Sequence, residues 1–395
     1  METPVHNPLG WIGHELERLE AAGLRRRTAA RAGPQGPSIC HAGQALLNFG
    51  SNDYLALAAD FRVVAAAEQA GRQFGWGSGA SPLVTGYCEL HRQLEEQLAE
   101  FEQTEAALVF TSGFAANAGT IAALAGPGDV VFADRKNHAS LLDGCRLSRA
   151  DVKTYPHADW GRLGELLSRA GHYRRRLIVT DSLFSMDGDL APLPELCDLA
   201  ERFEAMLLID EAHATGVFGA EGRGAAEHLG VHDRVHVRVG TLSKALGGAG
   251  GFVAGSRTLV EWLVNRARPY VYSTASPPAC AAAAMAALEI VRAEPQRREI
   301  LRWQAEQLRR RLVQEGWNIG RSTSHIIPLV VRESSRAVRL SSALRQRGVL
   351  VPAIRPPSVP DGEACLRISL SYAHSPEMVD GLCEALADCR RLLVA

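Results

Sequence analysis

Residues 206–213 read Met-Leu-Leu-Ile-Asp-Glu-Ala-His, and residues 241–248 read Thr-Leu-Ser-Lys-Ala-Leu-Gly-Gly. The first stretch begins with an apolar run that does not alternate with polar residues, which is typical of a strand covered on both faces of a parallel sheet. The second places Lys244 in a glycine-rich turn after another apolar run. Because open α/β sheets bind ligands at the carboxyl ends of their strands, we expect Asp210 to lie at a ligand site.

Further apolar runs indicate that both stretches belong to one sheet. Strands are predicted over residues 106–110, 130–132, 177–180, 206–209 and 235–239, and helical stretches separate them. This alternation predicts an α/β fold with a mostly parallel central sheet flanked by helices.

The pattern changes on both sides of this sheet. A helix over 278–292 continues into a charged helix over 294–315, and runs at 326–331, 349–351 and 366–370 predict a small sheet flanked by helices. Near the start, apolar residues at helical spacing over 12–27 precede a loop rich in Gly and Pro. We therefore predict an N-terminal arm over 1–45, a large domain over 46–285 and a smaller α+β domain over 286–395.

The amino-acid composition argues against several classes of protein. The 43 basic and 44 acidic residues nearly cancel, which argues against a nucleic-acid-binding protein, and no apolar segment is long enough to span a membrane. The eight cysteines occur without a Cys-x-x-Cys pair, so neither a disulfide framework nor a metal site is expected. The charged N-terminal helix lacks the apolar centre of a signal peptide, and we expect a cytoplasmic protein.

The residues at the ends of the predicted strands suggest a cofactor site. Lysine forms a Schiff base with pyridoxal phosphate, and burial makes its neutral amine available. A carboxylate such as Asp210 can pair with the pyridine nitrogen of that cofactor, and His213 can contact the ring. The alternatives are a solvated loop lysine at Lys244, a capping aspartate and a core histidine.

Other strand ends carry compatible residues. The strand over 106–110 runs into Thr-Ser-Gly-Phe-Ala-Ala-Asn at 111–117, where a helix start can bind phosphate and Gly113 allows close approach. His138 follows the next strand and can stack on a planar cofactor, or it is a solvent-facing loop histidine. Ser185 can donate to a ring oxygen or cap a turn. Taken together, these residues follow successive strands of one sheet.

Several motifs resemble those of the α-oxoamine synthases, a family of fold-type I pyridoxal-phosphate enzymes. These motifs are Ser51-Asn52-Asp53-Tyr54-Leu55, Gly77-Ser78-Gly79, Ser112-Gly113-Phe114-Ala115-Ala116-Asn117, His138-Ala139-Ser140, Phe184-Ser185-Met186-Asp187-Gly188 and Asp210-Glu211-Ala212-His213. The resemblance extends over almost the whole chain, and it implies a large domain with a mostly parallel sheet and a smaller α+β domain.

The resemblance assigns the cofactor residues. It implies that Lys244 is the Schiff-base lysine, that Asp210 pairs with the pyridine nitrogen and that His138 stacks on the ring. The remaining implied contacts to pyridoxal 5'-phosphate are the backbone amides of Gly113 and Phe114, Ser185 and His213 at the ring oxygen, Thr241 near the phosphate, and Thr274 reaching the phosphate of a neighbouring subunit. Family members are homodimers with shared active sites.

The resemblance also implies the substrates. Arg367 matches the arginine that holds the amino-acid carboxylate, and Arg25 matches a substrate-binding arginine of the N-terminal arm. The segment 353–360 resembles the acyl-recognition segment of members that use a pimeloyl thioester, with Arg355 and Ser358 as candidate contacts. The implied reaction condenses L-alanine with pimeloyl-CoA or pimeloyl-acyl-carrier protein with loss of carbon dioxide, as in biotin biosynthesis, and His138 steadies the thioester carbonyl.

Two departures and several alternatives accompany this assignment. Ala214 replaces a common glycine, and Ser358 replaces a common threonine. Glycine C-acetyltransferase and 5-aminolevulinate synthase share the cofactor residues and differ in substrate, and a catalytically silent member would keep the fold. Asp-Glu-Ala-His also occurs in helicases, but their phosphate loop needs a Gly-Lys pair, which this sequence lacks. The glycines at 247–251 predict a tight turn, not a dinucleotide loop.

Overall fold

Fourteen strands occur in the computed structural model of the protein, which describes residues 7–390. In chain order they are β1 Arg31–Ala32, β2 Ser38–His41, β3 Gln44–Asn48, β4 Ala106–Phe110, β5 Val130–Asp134, β6 Asp151–Tyr155, β7 Arg176–Asp181, β8 Met206–Asp210, β9 Val237–Thr241, β10 Gly251–Gly255, β11 Ile326–Arg332, β12 Val349–Leu350, β13 Ala353–Ile354 and β14 Ala364–Ser369.

Helices cover and connect these strands. They are α1 Gly10–Ala21, α2 Phe61–Phe74, α3 Glu89–Phe101, α4 Gly113–Leu124, α5 Ala139–Ser148, α6 Trp160–Ser168, α7 Leu193–Arg202, α8 Ala225–His228, α9 Arg257–Arg266, α10 Arg268–Val271, α11 Pro278–Ala293, α12 Gln296–Gln314, α13 Ser334–Gln346 and α14 Pro376–Cys389. A π-helical turn lies at Pro82–Gly86 and a 3₁₀ turn at His232–Arg234. None of the helices within residues 7–390 is long and apolar enough to cross a membrane.

The central sheet has seven strands in the order β4-β10-β9-β8-β7-β5-β6. All are parallel except β10, which is antiparallel to both of its neighbours. The prediction of a mostly parallel sheet is therefore confirmed, although β6 and β10 were not among the predicted strands and β9 begins two residues later than expected. Gly247, Gly248 and Gly250 lie in the connection between the antiparallel strands β9 and β10, as expected of a turn, and Gly251 begins β10.

Both faces of this sheet are packed, which explains the absence of alternation in the sequence. In β8, Leu207 and Ile209 belong to one hydrophobic core and Leu208 belongs to the other, and all three side chains are fully buried. Successive residues of a strand point to opposite faces, so a strand with helices on both sides is apolar at every position.

A second and a third sheet involve the C-terminal part of the chain. Strands β11, β14 and β13 form an antiparallel sheet, as predicted for the first two. The predicted strand at 349–351 does not join it, because β12 pairs in parallel with β3 of the N-terminal sheet β1-β2-β3-β12. Residues on either side of the predicted large domain therefore share one sheet, and the boundaries at 45 and 285 remain a prediction.

Two helix boundaries differ from the sequence prediction: α1 ends earlier, and α11 does not continue into α12. Helix α1 stops at Ala21 because Gly23 adopts a left-handed conformation, with φ of 66°, that terminates a helix. Helices α11 and α12 are separate because Pro295 offers no N–H to continue the hydrogen-bond ladder and disfavours helical backbone in the preceding residue, Glu294.

Candidate active site

The carboxyl ends of the parallel strands bring two acidic side chains together. Asp210 ends β8, and Asp181, which ends β7, is its register partner. Both residues are buried, with 4% and 3% of their surface exposed. The Asn117 amide donates to Asp210 Oδ2 over 2.6 Å, and the Ala212 N–H donates to Oδ1 over 2.7 Å. Asp210 is therefore fixed in orientation at the sheet edge.

Lys244 lies beside this carboxylate, in the connection from β9 to β10. Its Nζ is 2.7 Å from Nε2 of His213, the residue three positions beyond Asp210. Part of Lys244 remains accessible, but the surrounding protein desolvates its amine, and this lowers the pKa of Lys244 to about 8. The neighbouring Arg367 acts in the same direction, whereas Asp210 opposes it. A substantial fraction of the amine is therefore neutral near physiological pH.

His213 connects the lysine to a buried hydrogen-bond chain. Its Nδ1 is 2.6 Å from the hydroxyl of Tyr54, which donates to Asn52 Oδ1 over 3.1 Å. Burial lowers the pKa of His213 well below its usual value, and the positive charges of Lys244 and Arg367 lower it further. The imidazole is therefore neutral, with one ring nitrogen as donor and the other as acceptor.

Arg367 on β14 completes this side of the site. Its Nε donates to the Ser185 carbonyl over 2.6 Å, its Nη1 to Asn52 Oδ1 over 3.1 Å and its Nη2 to the Tyr54 hydroxyl over 3.2 Å. A guanidinium has five N–H groups, so one remains on each terminal nitrogen. Those two donors suit the bidentate binding of a carboxylate.

His138 faces the site from the loop after β5. Its backbone N–H donates to Asp181 Oδ2 over 2.7 Å, and its Nδ1 is 2.7 Å from the hydroxyl of Ser140. Ser140 in turn accepts from the amide of Asn117, which also holds Asp210. The histidine and the aspartate therefore belong to one connected network.

An anion site is available where β4 leads into α4. Ser112 caps this helix by accepting the Ala115 N–H, so the first amides of the helix, including those of Gly113 and Phe114, have no partner within it. A Cβ on Gly251 would lie 2.5 Å from the Gly113 nitrogen, so only glycine lets β10 approach this helix start. Thr241 is adjacent, with its hydroxyl 2.8 Å from that of Ser243.

A cleft of about 560 Å³ opens beside His138 and Ser185, and the segment 356–361 forms its other wall. Among the predicted substrate contacts, Arg355 donates to the Gly23 carbonyl, and Ser358 lies at the cleft. Arg25 pairs with Glu20 at 3.5 Å and is not placed against this wall. The next residue, Arg26, does contact this wall. Its Nη2 is 3.2 Å from the Pro356 carbonyl and 3.5 Å from the Ser358 hydroxyl.

Thr274 lies apart from these groups, at a small cavity lined also by Thr111 and Tyr270. The geometry of the single chain does not bring its side chain to Lys244. Ala214, the first departure from the family pattern, is fully buried, so the core accommodates its methyl group.

Several residues of this hydrogen-bond network were not predicted from the sequence to have a role in the site. Asn117, Asn52 and Tyr54 lay within matched motifs, but their hydrogen bonds join segments far apart in the chain. Asp181 could have been found, because it ends a predicted strand next to the one that ends in Asp210, and the same strand-end argument applies.

Pyridoxal 5'-phosphate fits this arrangement. The site offers an amine with a lowered pKa at Lys244, a buried carboxylate at Asp210 and unpartnered helix-start amides at Gly113, which are the groups that an aldehyde, a pyridine nitrogen and a phosphate require.

Comparisons with known proteins identify the family. Residues 44–386 match the model of the aminotransferase class I and II family. An 8-amino-7-oxononanoate synthase of Anaeromyxobacter dehalogenans strain 2CP-1 is 53% identical over 379 residues, which cover 96% of this chain and 95% of that protein. The chain belongs to the 8-amino-7-oxononanoate synthases.

Solved structures agree with the fold and with the cofactor. A serine palmitoyltransferase from S. paucimobilis with a bound PLP–myriocin aldimine superimposes with a TM-score of 0.93 at 30% identity, over 100% of both chains. An 8-amino-7-oxononanoate synthase from Francisella tularensis gives 0.77 at 26% identity over 89% of this chain and 99% of that one. The chain is thus a fold-type I, pyridoxal 5'-phosphate-dependent acyltransferase, and the predicted fold class, enzyme class and cofactor are confirmed.

Proposed function

We propose that this chain condenses L-alanine with a pimeloyl thioester, on coenzyme A or on acyl-carrier protein, to give 8-amino-7-oxononanoate, carbon dioxide and the free thiol. The observation that carries the proposal is the placement of the Lys244 amine between the Asp210 network and Arg367, beside a cleft whose far wall is the acyl segment. The 53% identity to a relative of that name supports the choice of substrates.

Lys244 is proposed as the group that moves the proton at the alanine Cα. Its lowered pKa leaves the amine free to accept a proton, and His213 Nε2 at 2.7 Å orients that amine. When bound, pyridoxal 5'-phosphate supplies an electron-accepting ring, and Asp210 would face its nitrogen. The Asn117 amide keeps the carboxylate in place, and His138 would lie over the ring.

Arg367 is proposed to hold the alanine carboxylate. Its three hydrogen bonds to Ser185, Asn52 and Tyr54 fix the plane of the guanidinium before substrate arrives, and its two remaining N–H groups bind the carboxylate side by side. Fixing the carboxylate also fixes the direction of the bond that breaks when carbon dioxide leaves.

The pimeloyl chain is proposed to occupy the cleft between His138 and segment 356–361. His138 is positioned to donate to the thioester carbonyl, and Ser358 lies on the opposite wall. Arg355 directly precedes that wall and donates to the Gly23 carbonyl, so it would have to turn to meet the acyl chain. Arg26, which contacts Pro356 and Ser358, is a better placed candidate for the distal carboxylate than Arg25.

A homodimer is proposed from the exposed apolar side chains around Thr274. Val84 and Tyr272 are 73% and 72% exposed, and Trp76 is 75% exposed. Exposed apolar groups of this size on neighbouring segments are typical of an interface. The Ala275 N–H donates to the Ala80 carbonyl over 2.9 Å, which ties the Thr274 segment to this surface. We propose that Thr274 reaches the phosphate bound by the second subunit.

A cytoplasmic location is also proposed. All eight cysteines are free thiols, and five of them are buried. Free thiols are typical of proteins that work in a reducing compartment.

The decisive experiment crosses amino acids with acyl donors. Purified protein loaded with pyridoxal 5'-phosphate is assayed with alanine, glycine or serine against pimeloyl, acetyl, succinyl and palmitoyl thioesters. Alanine with pimeloyl thioester should give the highest kcat/KM. A preference for glycine with acetyl or succinyl thioester would instead assign glycine C-acetyltransferase or 5-aminolevulinate synthase activity, and serine with palmitoyl thioester would assign the activity named for the structural neighbours.

A further inference from the structure

His157 lies outside the residues assigned to the site, just after β6, and binds two carboxylates. Its Nδ1 is 3.2 Å from Asp134 Oδ1, and its Nε2 is 3.0 Å from Asp189 Oδ2. The side chain is 12% exposed, and those of the two aspartates are 1% and 9% exposed. Since both ring nitrogens face acceptors, the imidazole satisfies both aspartates only when it is protonated and donates twice.

The two aspartates lie close in the chain to two site residues, one at the end of a strand and one in a loop. Asp134 ends β5, four positions before His138. Asp189 lies four positions after Ser185, in the loop that follows β7. Asp134 also accepts the Lys136 and Ala158 N–H groups, each over 2.8 Å. In the part of the chain that the structure describes, the Asp189 side chain has no hydrogen bond except that to His157, and its Oδ1 is buried without a partner.

His157 makes a third contact with the second loop. The imidazole meets the ring of Phe184 edge to face, with centroids 4.3 Å apart and planes at 88°. The following residue, Ser185, accepts the Nε–H of Arg367 through its carbonyl. A shift of this loop would therefore move both Ser185 and the guanidinium that is proposed to bind the alanine carboxylate.

A weaker connection joins the same loops at the mouth of the cleft. Lys136 Nζ is 2.6 Å from Asp187 Oδ1 and 2.8 Å from Glu363 Oε2. The three side chains are 20%, 31% and 47% exposed, so solvent and salt screen these pairs. The buried cluster around His157 is screened much less, and it adds to the bond from the His138 N–H to Asp181, which joins the His138 loop to the end of β7.

We propose that His157 is a positioning residue: held between Asp134 and Asp189, its imidazolium fixes the loop that carries His138 relative to the loop that carries Ser185, and so aligns His138 with Arg367 across the site. This inference deepens the proposed function and rests on it, because neither His138 nor Arg367 has a substrate to align without that reaction. Displacements of the order of 1 Å in such groups can cost about a hundredfold in rate.

The electrostatics of the cluster favour a cationic His157 at neutral pH. Burial lowers the pKa of His157, but the hydrogen bonds and charges of Asp134 and Asp189 more than offset this and raise the pKa to about 9. Because the pKa is raised in the folded protein, the stabilisation is complete below the ordinary pKa of histidine, about 6.5, and is lost as pH rises through about 9. Tyr155 and Asp181 also approach Asp134, from β6 and β7.

The test compares His157→Gln, His157→Lys and a matched control, His172→Gln, at an exposed histidine. A glutamine amide donates to one aspartate and turns its oxygen towards the other, whereas a lysine restores a cation with several donors. In the full-length protein, His157→Gln should lower kcat about tenfold to a hundredfold and raise the KM for alanine, because His138 and Arg367 are both displaced. His157→Lys should recover part of the loss, and His172→Gln should match the unsubstituted protein.

Thermal unfolding without the cofactor gives an independent readout. Between pH 6.5 and 9.5 the unsubstituted protein should lose a component of stability that His157→Gln lacks, and Tm at pH 7 should fall by about 5 °C or more in that variant. Unchanged kcat and KM in His157→Gln, or a loss of stability with native kinetics, would overturn the proposal. If the unsubstituted protein does not turn over alanine with any pimeloyl thioester, the proposed function fails, and an identical pH dependence of Tm in the variant then overturns the cluster separately.

Discussion

The cofactor side of the site is buried and fully connected, whereas the acyl side is an open wall. Asp210 and His213 are 4% and 5% exposed, and each is held by two hydrogen bonds of 2.7 Å or less. Arg26 and Ser358 are exposed, and the contact between them is 3.5 Å long. The side chains of the cofactor side are therefore fixed in one arrangement, whereas those of the acyl side can adjust to a ligand. Substitutions on the two sides should therefore differ in size and in the kinetic constant that they change.

The largest effect is expected from Lys244→Ala on the buried side. Removing the amine that is proposed to hold the cofactor and to move the proton should lower kcat/KM by about a thousandfold or more. Turnover and borohydride trapping of the cofactor, followed by mass spectrometry, check this. Lys153→Ala, at an exposed lysine of β6, serves as the control. Retention of trapped cofactor and normal turnover in Lys244→Ala would refute the assignment.

A smaller but still large loss is expected from Arg367→Lys. Lysine keeps the charge but cannot make three fixed hydrogen bonds and a bidentate carboxylate contact together, so kcat/KM for alanine should fall about a hundredfold. The KM of the thioester should change much less. Steady-state kinetics with each substrate varied separately would detect this split, and Arg332→Lys at an exposed position is the control. Equal losses for both substrates would argue against carboxylate binding by Arg367.

The third-largest effect is expected in the pH dependence of cofactor binding. Because burial lowers the pKa of Lys244 to about 8, the neutral fraction of the amine rises from about a tenth at pH 7 to about nine tenths at pH 9. Incorporation of pyridoxal 5'-phosphate into the cofactor-free protein should therefore accelerate about tenfold over that range. Stopped-flow absorbance would measure the rate. A pH-independent rate would contradict a titrating amine at the buried side.

The smallest effect is expected on the acyl wall, and it separates two neighbours in sequence. Arg26→Ala removes contacts to Pro356 and Ser358 and should raise the KM of the pimeloyl thioester about threefold to tenfold, with kcat nearly unchanged. Arg25→Ala, which removes a half-exposed pair with Glu20, should have a smaller effect. The reverse order would restore Arg25 as the acyl-side contact and would show that the arm rearranges when substrate binds.

The contrast between the buried side and the acyl wall also explains which site residues could be predicted from the sequence. Asp210 and Lys244 follow apolar strands, and the general rule for strand ends places their side chains at one edge without any knowledge of the partners. Arg26 and Arg25 are adjacent residues of an irregular segment, where no period determines which side chain faces the cleft. Their orientation depends on Gly23 and on contacts with residues more than 300 positions away, which a local pattern does not contain.

The pairing of strands that lie far apart in the chain could not be predicted from the sequence either. The apolar run at 349–351 predicts a strand correctly, but an apolar run does not specify its neighbour, and β12 joins β3 instead of β11 or β14. Antiparallel β10 was missed because its glycines reduce its strand propensity, although close approach to the Gly113 helix start requires glycine at position 251.

The pairing of β3 with β12 has a consequence for synthesis in the cell. About 300 residues separate Asn48 from Val349, and at typical elongation rates β3 leaves the ribosome roughly 15–60 s before its partner is made. During that interval one edge of the emerging β2–β3 hairpin lacks its native neighbour, and its backbone N–H and C=O groups stay open to pairing with another strand while the rest of the polypeptide is translated.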